Sequence, residues 1–424
     1  MPQDTALPQL GQSSSEGPES SPRPWLGTTP TPEAAPSPVR SLYIHVPFCF
    51  HKCHYCDFYS IVDTRDRQET FVDRLTAELS AQAHLAGGAP LRTIFVGGGT
   101  PSLLRPDLWT RLLGVLETRF DLSLIRRGDG EFTVECNPET VTRELADVLA
   151  KGGVSRVSMG AQSFHAAHLK TLERWHHPDN VARAIEVAGS AGIPRRSVDL
   201  IYAIPGQSIA DLERDLDAAA SLPVEHVSAY NLTYEPNTAM THRLKRGEFT
   251  PADEDLEADM FTLVGQRLGG RGFSRYEVSN YARPGAECRH NLAYWRQEQW
   301  LACGPSASGH VRGIRWKNAP RLDDYLSFSD EGWAKTSEIE PRDAKRAVRE
   351  RIMTGLRLRE GLPIDWLRTR AREHGGDIEG RVQRAIDRMN EQGLLRERDP
   401  AIALSDAGVL FADALAARLM KLFL

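Results

Sequence analysis

An α/β fold is what this sequence predicts: a partial (β/α)6 barrel of TIM type, a C-terminal helical, winged-helix-like domain, and a disordered N-terminal tail. Three observations point to it. Strand-like and helix-periodic runs alternate from residue 41 to about 275, chemistry-bearing residues gather where the strand-like runs end, and the last 90 or so residues read as charged helices with a possible β-wing. Alternation of this kind implies βαβ units and a parallel sheet. Six units suit a partial barrel better than a closed eight-fold one, and a doubly wound open sheet is the alternative that pattern alone leaves standing.

Taken in order, residues 1–40 carry nine prolines and many serines with almost no apolar clustering. Such a segment buries too little surface to offset its ordering entropy, so it reads as a disordered tail. The first strand is Leu42–Val46, and further strand-like runs fall at 93–96, 131–135, 156–159, 197–201 and 226–230. Helix-periodic runs at 69–86, 106–119, 180–191 and 209–222 separate them. These fill a barrel segment spanning 41–275. Residues 276–335 form a mixed, barrel-closing region that includes the small-residue run 301–309. The helical domain occupies 336–424, with an apolar stripe over 377–392, a turn into a wing at Gly393, and Ser405 as N-cap of the last helix.

The strand ends favour the barrel. Cysteines follow strand one, Gly97–Thr100 follow strand two, and Glu135 and Asn137 close strand three. Gly160 and Gln162 follow strand four, Asp199 lies in strand five, and Tyr230 and Asn231 end strand six. Parallel barrels converge their carboxyl-terminal strand ends on one active face.

A formal charge of -5 over 424 residues gives no reason to expect nucleic acid as a partner, and the charged helices serve equally well as a solvated face. No apolar run approaches the roughly 20 residues a membrane-spanning helix needs. The N-terminus shows no charged segment followed by an apolar one, and six cysteines in so long a chain make no disulfide framework. A reducing, cytoplasmic compartment is the expectation.

Three of those cysteines lie in one loop as Cys49-x3-Cys53-x2-Cys56. Three thiolates can hold three irons of a cubane and leave the fourth open to an outside ligand. A structural zinc normally takes four protein ligands, and His45, His51 and His54 stand near enough in sequence to keep that alternative open.

The segment Cys49-Phe-His-Lys-Cys53-His-Tyr55-Cys56 resembles the signature of the radical S-adenosylmethionine superfamily. Tyr43-Ile-His-Val-Pro-Phe-Cys49, Gly97-Gly-Gly-Thr-Pro-Ser102, Ser158-Met-Gly-Ala-Gln162-Ser-Phe164 and Asp199-Leu-Ile-Tyr-Ala-Ile-Pro205 narrow the likeness to one branch. That branch holds the oxygen-independent coproporphyrinogen III oxidases and the related heme chaperones of the HemW type, and the likeness runs over residues 41–420. It implies a [4Fe–4S] cluster on Cys49, Cys53 and Cys56, whose open iron is chelated by the methionine moiety of S-adenosylmethionine. In the family, cluster reduction cleaves the sulfonium to a 5′-deoxyadenosyl radical, with a flavodoxin or ferredoxin as a suitable electron donor.

The resemblance places Tyr43, Tyr55, Gly98, Gly99, Thr100, Glu135, Gln162, Arg174 and Asp199 around that cofactor. The residue types suit the task. Glycines admit close backbone approach, and a carboxylate at Glu135 accepts from hydroxyls and an ammonium alike. Arg174 is the weakest of the set, since an arginine among helix charges usually faces solvent.

Two features separate the branches. The oxidases resemble Cys-x3-Cys-x2-Cys-x-Cys, whereas Phe58 stands at the fourth cysteine position here, the form of the chaperones. His290-Asn-Leu-Ala-Tyr294-Trp295 matches the HNxxYW motif associated with heme binding in them. A neutral imidazole at His290 can ligate heme iron, and Tyr294 and Trp295 offer flat apolar surface for a porphyrin. Two readings result: a chaperone that binds heme and passes it to an apo-hemoprotein, and a decarboxylase of coproporphyrinogen propionates. Cys288 is either a second ligand beside His290 or a small buried apolar residue, and Cys303 lies in a stretch that the family makes richer in glycine.

Overall fold

The computed structural model describes residues 38–396 and 400–424. The segment read as a disordered tail therefore lies almost wholly outside the described residues. Its last residues are packed: Val39 is buried, and the Arg40 carbonyl accepts from the N–H groups of Arg92 and Thr93.

All six expected strands are present: β1 (Ser41–Val46), β2 (Thr93–Gly98), β3 (Glu131–Cys136), β4 (Arg156–Gln162), β5 (Arg195–Tyr202) and β6 (His226–Asn231). They pair in parallel, each with the next in sequence. A doubly wound sheet reverses its strand order at a switch point. This order never reverses, so right-handed crossovers place every connecting helix on one face and the sheet curls into a barrel wall. Leu42, Ile44, Ile94, Val96, Phe132 and Val134 point outward into the main hydrophobic core beneath those helices. The alternate residues point inward, and most are polar. The lumen is thus a lined chamber rather than a second core.

The wall is longer than six strands. β7 (Ser274–Arg275) and β8 (Asn280–Ala282) extend it antiparallel beyond β6, while β9 (Trp300–Cys303), β10 (Ser308–Val311), β11 (Ile314–Asn318) and β12 (Thr336–Glu340) extend it beyond β1. β9 runs parallel to β1 and the rest of this extension is antiparallel. The small-residue run at 301–309 is therefore a strand, a turn and a second strand. Glu78 holds that turn from the helix Gln68–Gln82, accepting from the Gly304 N–H (2.9 Å), the Tyr325 hydroxyl (2.7 Å) and Asn318 Nδ2 (2.7 Å).

A second hydrophobic cluster, from Ile352 to Phe423, unites the helices Ala344–Arg357, Ile364–His374, Ile378–Glu391 and Ala412–Met420. Three short strands, β13 (Leu362–Pro363), β14 (Leu395–Arg396) and β15 (Ala401–Leu404), make its antiparallel sheet, so two helices followed by a wing are present as expected. Ser405 caps the short helix Asp406–Val409, accepting from the Gly408 N–H, and not the last helix. Arg296 with Glu360 and Arg315 with Glu350 tie this unit to the barrel edge. No helix among the described residues is long and apolar enough to cross a membrane.

Candidate functional site

A chamber of about 980 Å3 runs through the lumen and opens at the carboxyl-terminal strand ends. It brings together Cys49, Cys53 and Cys56 with Tyr43, Tyr55, Gly98, Gly99, Thr100, Glu135, Gln162, Arg174 and Asp199, and it reaches His290 and Tyr294 as well. Among the sequence-derived site residues, only Trp295 lies off its walls.

The cysteine loop is held from several sides. The Cys49 N–H donates to the Ile61 carbonyl (2.9 Å), the His54 N–H to Leu172 (3.2 Å), and the Met240 N–H to His54 (2.8 Å). Tyr55 packs on the small apolar cluster of Leu172, Ile201, Ile204, Leu232 and Met240, anchoring the loop centre. His45 supports the loop from below: its Nε2–H donates to the Tyr59 carbonyl (2.8 Å) and its Nδ1 accepts from the Tyr43 hydroxyl (3.1 Å).

Three cysteines that are free and half-buried remain in the loop. Cys49 Sγ lies 3.5 Å from Thr100 Oγ1, and Arg174 Nη1 approaches Cys53 Sγ at 3.7 Å. Arg174 is thus not on a solvated face; it also donates to the Gly160 carbonyl at 2.8 Å and sits inside the chamber mouth.

The three histidines near the loop do not complete a zinc site. His45 is committed as above, His51 stacks on Trp175 with ring centres 4.9 Å apart, and His54 Nδ1 accepts from Arg243 (3.2 Å). Among the described residues no three His, Cys, Asp or Glu side chains converge on a single-ion site. A cubane takes each thiolate at a different iron and needs a wider spread than one ion's ligand shell, so this donor set fits the cluster.

The glycines behind the loop are required by contact. A Cβ on Gly98, which has a left-handed φ of 108°, would meet the His45 ring at 2.5 Å, and one on Gly99 would meet the Phe48 carbonyl at 2.7 Å. The Gly98 N–H donates to Glu135 Oε2 at 3.1 Å. Glu135 lies deep in the molecule yet faces the chamber, and burial, with Asp199 nearby, pushes its carboxyl up to about 8. Asp199 accepts from Ser158 Oγ at 3.0 and 2.9 Å, and burial raises its carboxyl too. Gln162 sits at a bulge between β4 and β5 with a left-handed φ of 64° and lines the same wall. Two carboxyls beside a three-thiol loop make a site for a ligand with cationic and hydroxyl groups.

At the chamber floor His290 occupies the helix Arg289–Trp295 and is 1% exposed. Its Nδ1 meets Thr93 Oγ1 at 2.8 Å, its ring stacks on Phe95 at 5.3 Å, and Tyr294 packs edge-on at 4.6 Å. Burial pushes the imidazole down to about 3, so it is neutral, and Nε2 has no hydrogen-bond partner. A buried neutral imidazole with one orphaned nitrogen has the chemistry of an axial metal ligand. Trp295 turns away, beneath the Arg357 guanidinium at 5.5 Å, so it offers the chamber no surface.

Cys288 lines the floor and donates to Glu131 Oε1 (3.3 Å), while Cys303 is wholly buried among apolar residues on the outer face of β9. Sequence reasoning missed Trp300 and Lys317, which line the chamber from β9 and β11. It also missed the buried pair Arg156–Glu131 (3.0 Å) below the carboxyls. Inward alternation along β3, β4 and β11 was the available signal, while β9 is apolar throughout and shows none.

Comparison with known proteins adds the family. Residues 43–219 match the Radical SAM superfamily model and residues 343–411 the HemN C-terminal domain. The heme chaperone HemW of Mycobacterium tuberculosis is 36% identical over 394 residues, covering 92% of this chain and 97% of that protein. HemW of Escherichia coli is 34% identical over 391 residues, covering 91% and 98%. Coproporphyrinogen III oxidase (HemN) from Escherichia coli shares the fold, with a TM-score of 0.76 at 21% identity over 92% of this chain and 91% of that one.

Proposed function

We propose, since this chain belongs to the HemW family, that it is a heme chaperone, binding heme and transferring it to an apo-hemoprotein. The observation that carries the reading is a single chamber joining the three-cysteine loop, the strand-end carboxyls and an imidazole with an orphaned nitrogen. In it Cys49, Cys53 and Cys56 hold a [4Fe–4S] cluster. Gly98, Gly99, Thr100, Glu135, Gln162 and Asp199 hold S-adenosylmethionine, with Tyr43 and Tyr55 walling it, and His290 and Tyr294 meet the heme. A cluster so placed would supply one-electron chemistry to the bound sulfonium.

The chain's own residues divide the work. Glu135 and Asp199 favour a cationic ligand, Arg174 sets a positive charge beside Cys53, and Tyr55 fixes the loop against apolar packing. Phe58 is 65% exposed, so the position at which the oxidases carry a further cysteine offers a bulky apolar side chain to solvent instead. The partner set is heme, an acceptor apo-hemoprotein and a flavodoxin- or ferredoxin-like electron donor, in the cytoplasm. Residues 41–275, 276–335 and 336–424 act as the cluster barrel, the heme-motif region and the helical domain.

Anaerobic reconstitution followed by hemin titration and a coproporphyrinogen decarboxylation assay on one sample tests this. A cluster near one per chain, stoichiometric hemin binding that weakens in His290→Ala, and no protoporphyrinogen formation are expected. Hemin affinity indifferent to His290 would remove the ligand assignment. Turnover of coproporphyrinogen would replace the chaperone reading with the oxidase.

A further inference from the structure

The chamber has a second arm. The carboxyls stand on β3 and β5, whereas β9, β10 and β11 lie on the other side of β1, and their inner faces contribute Trp300, Ser308 and Lys317. A run of rings leads there from the floor. Phe95 stacks on His290, His290 meets Tyr294 at 4.6 Å, and Tyr294 meets Trp300 edge-on at 4.5 Å. Trp300 is half-buried, and its indole N–H is already spent on the Ser308 carbonyl (2.7 Å), so what it offers the chamber is apolar ring surface.

Lys317 stands beside Ser308 in the β10–β11 register and is half-buried in the chamber wall. Its ammonium forms no ion pair among the described residues. Of the nearby carboxylates, Glu340 faces Arg315 (3.7 Å) and Arg346 (3.6 Å), while Glu338 stands opposite Lys317 on β12 without forming an ion pair with it. A flat ring surface ending in a lysine that holds no ion pair is complementary to a planar apolar ligand with a carboxylate at its edge.

We infer that this arm seats the tetrapyrrole, with Tyr294 and Trp300 against the macrocycle and Lys317 pairing with one propionate. The inference rests on the heme reading above and supplies what Trp295 does not. It also sets the two ligands apart: S-adenosylmethionine toward β3 and β5, and heme from His290 beneath β2 across β1 to Lys317 on β11.

The test is titration of the full chain with hemin and with hemin dimethyl ester, which lacks the propionate charges, in one detergent-containing buffer followed by the Soret band. Lys317→Ala should weaken hemin roughly tenfold, the scale of one charge-assisted contact, and leave the ester unchanged. Lys317→Arg should restore hemin, and Trp300→Ala should weaken both ligands. The absorbance of the reconstituted cluster reports that each variant is folded. Equal wild-type affinity for hemin and ester, or a Lys317→Ala variant that binds hemin as wild type does, would overturn the assignment while leaving the chaperone reading in place. A wild-type chain that binds no hemin would overturn both.

Discussion

Glu135 makes the proposed S-adenosylmethionine site answer to pH. Its carboxyl stands at about 8, raised first by burial and then by Asp199, with the Gly98 N–H pulling the other way. Tyr43 faces it from β1, and Arg174 acts on Asp199 across the chamber. A carboxyl with that value is about one-tenth ionised at pH 7. A cationic ligand needs the carboxylate, so apparent affinity falls with the ionised fraction: about tenfold below its plateau at pH 7 and about thirtyfold at pH 6.5. Ligand binding near pH 7 should therefore release close to one proton. Calorimetry of S-adenosylmethionine binding in two buffers of different ionisation enthalpy, from pH 6 to 8.5, reads both quantities. The ligand's own amine titrates equally against wild type and Glu135→Gln, so the difference between the two profiles isolates Glu135. That variant should bind weakly with no such slope, and Asp199→Asn should move the wild-type midpoint down. Matching profiles for wild type and Glu135→Gln would refute the reasoning. For the free protein the sign is opposite: a carboxyl raised in the folded state costs stability as pH climbs from its unfolded value toward 8.

Three further outcomes follow from the packing. Arg156→Met strands the buried Glu131 carboxylate and should cost about 3–5 kcal/mol in thermal or urea unfolding, with Glu131→Gln added in the same chain recovering part of it; an unchanged melting temperature would show that the pair is replaceable. Glu78→Leu unpairs the Gly304 N–H and the Tyr325 hydroxyl, each worth about 1–3 kcal/mol when left buried, and takes one of the two acceptors of Asn318 Nδ2, so the barrel edge should lose amide-exchange protection first at β9 and β10. Trp295→Ala should leave hemin affinity within about twofold, while losing about 0.5–1 kcal/mol of its contact with Arg357; a large loss of hemin would return Trp295 to the site.

The six parallel strands were legible because outward positions are predominantly apolar and the helices between them keep a 3.6-residue period. What separates this barrel from a doubly wound sheet is strand order, which no local pattern records. β9 was hidden for a physical reason. Four residues, Trp300–Cys303, set between β1 and β10 and stapled through Gly304 to Glu78, need no alternation of their own. Their place is dictated by a carboxylate more than 200 residues earlier, and sequence periodicity carries no trace of such a contact.

The site divides along the same line. Residues whose role depends on spacing within one loop, Cys49, Cys53 and Cys56, can be named from sequence because the loop itself brings them together. Arg174 reads as a surface charge until the chain carries it back over the cysteine loop, where Cys53 and the Gly160 carbonyl accept from its two Nη groups. The HNxxYW motif shows the converse. Its residues are adjacent in sequence, yet one helical turn sends His290 and Tyr294 into the chamber and Trp295 out of it. Five residues later Trp300, on a strand, points inward beside Tyr294. A motif on a short helix presents at most one face to a ligand, so the rest of a flat ligand's surface has to come from whatever strand the helix leads into. In this fold that strand is β9, and the neighbours it brings are Ser308 and Lys317.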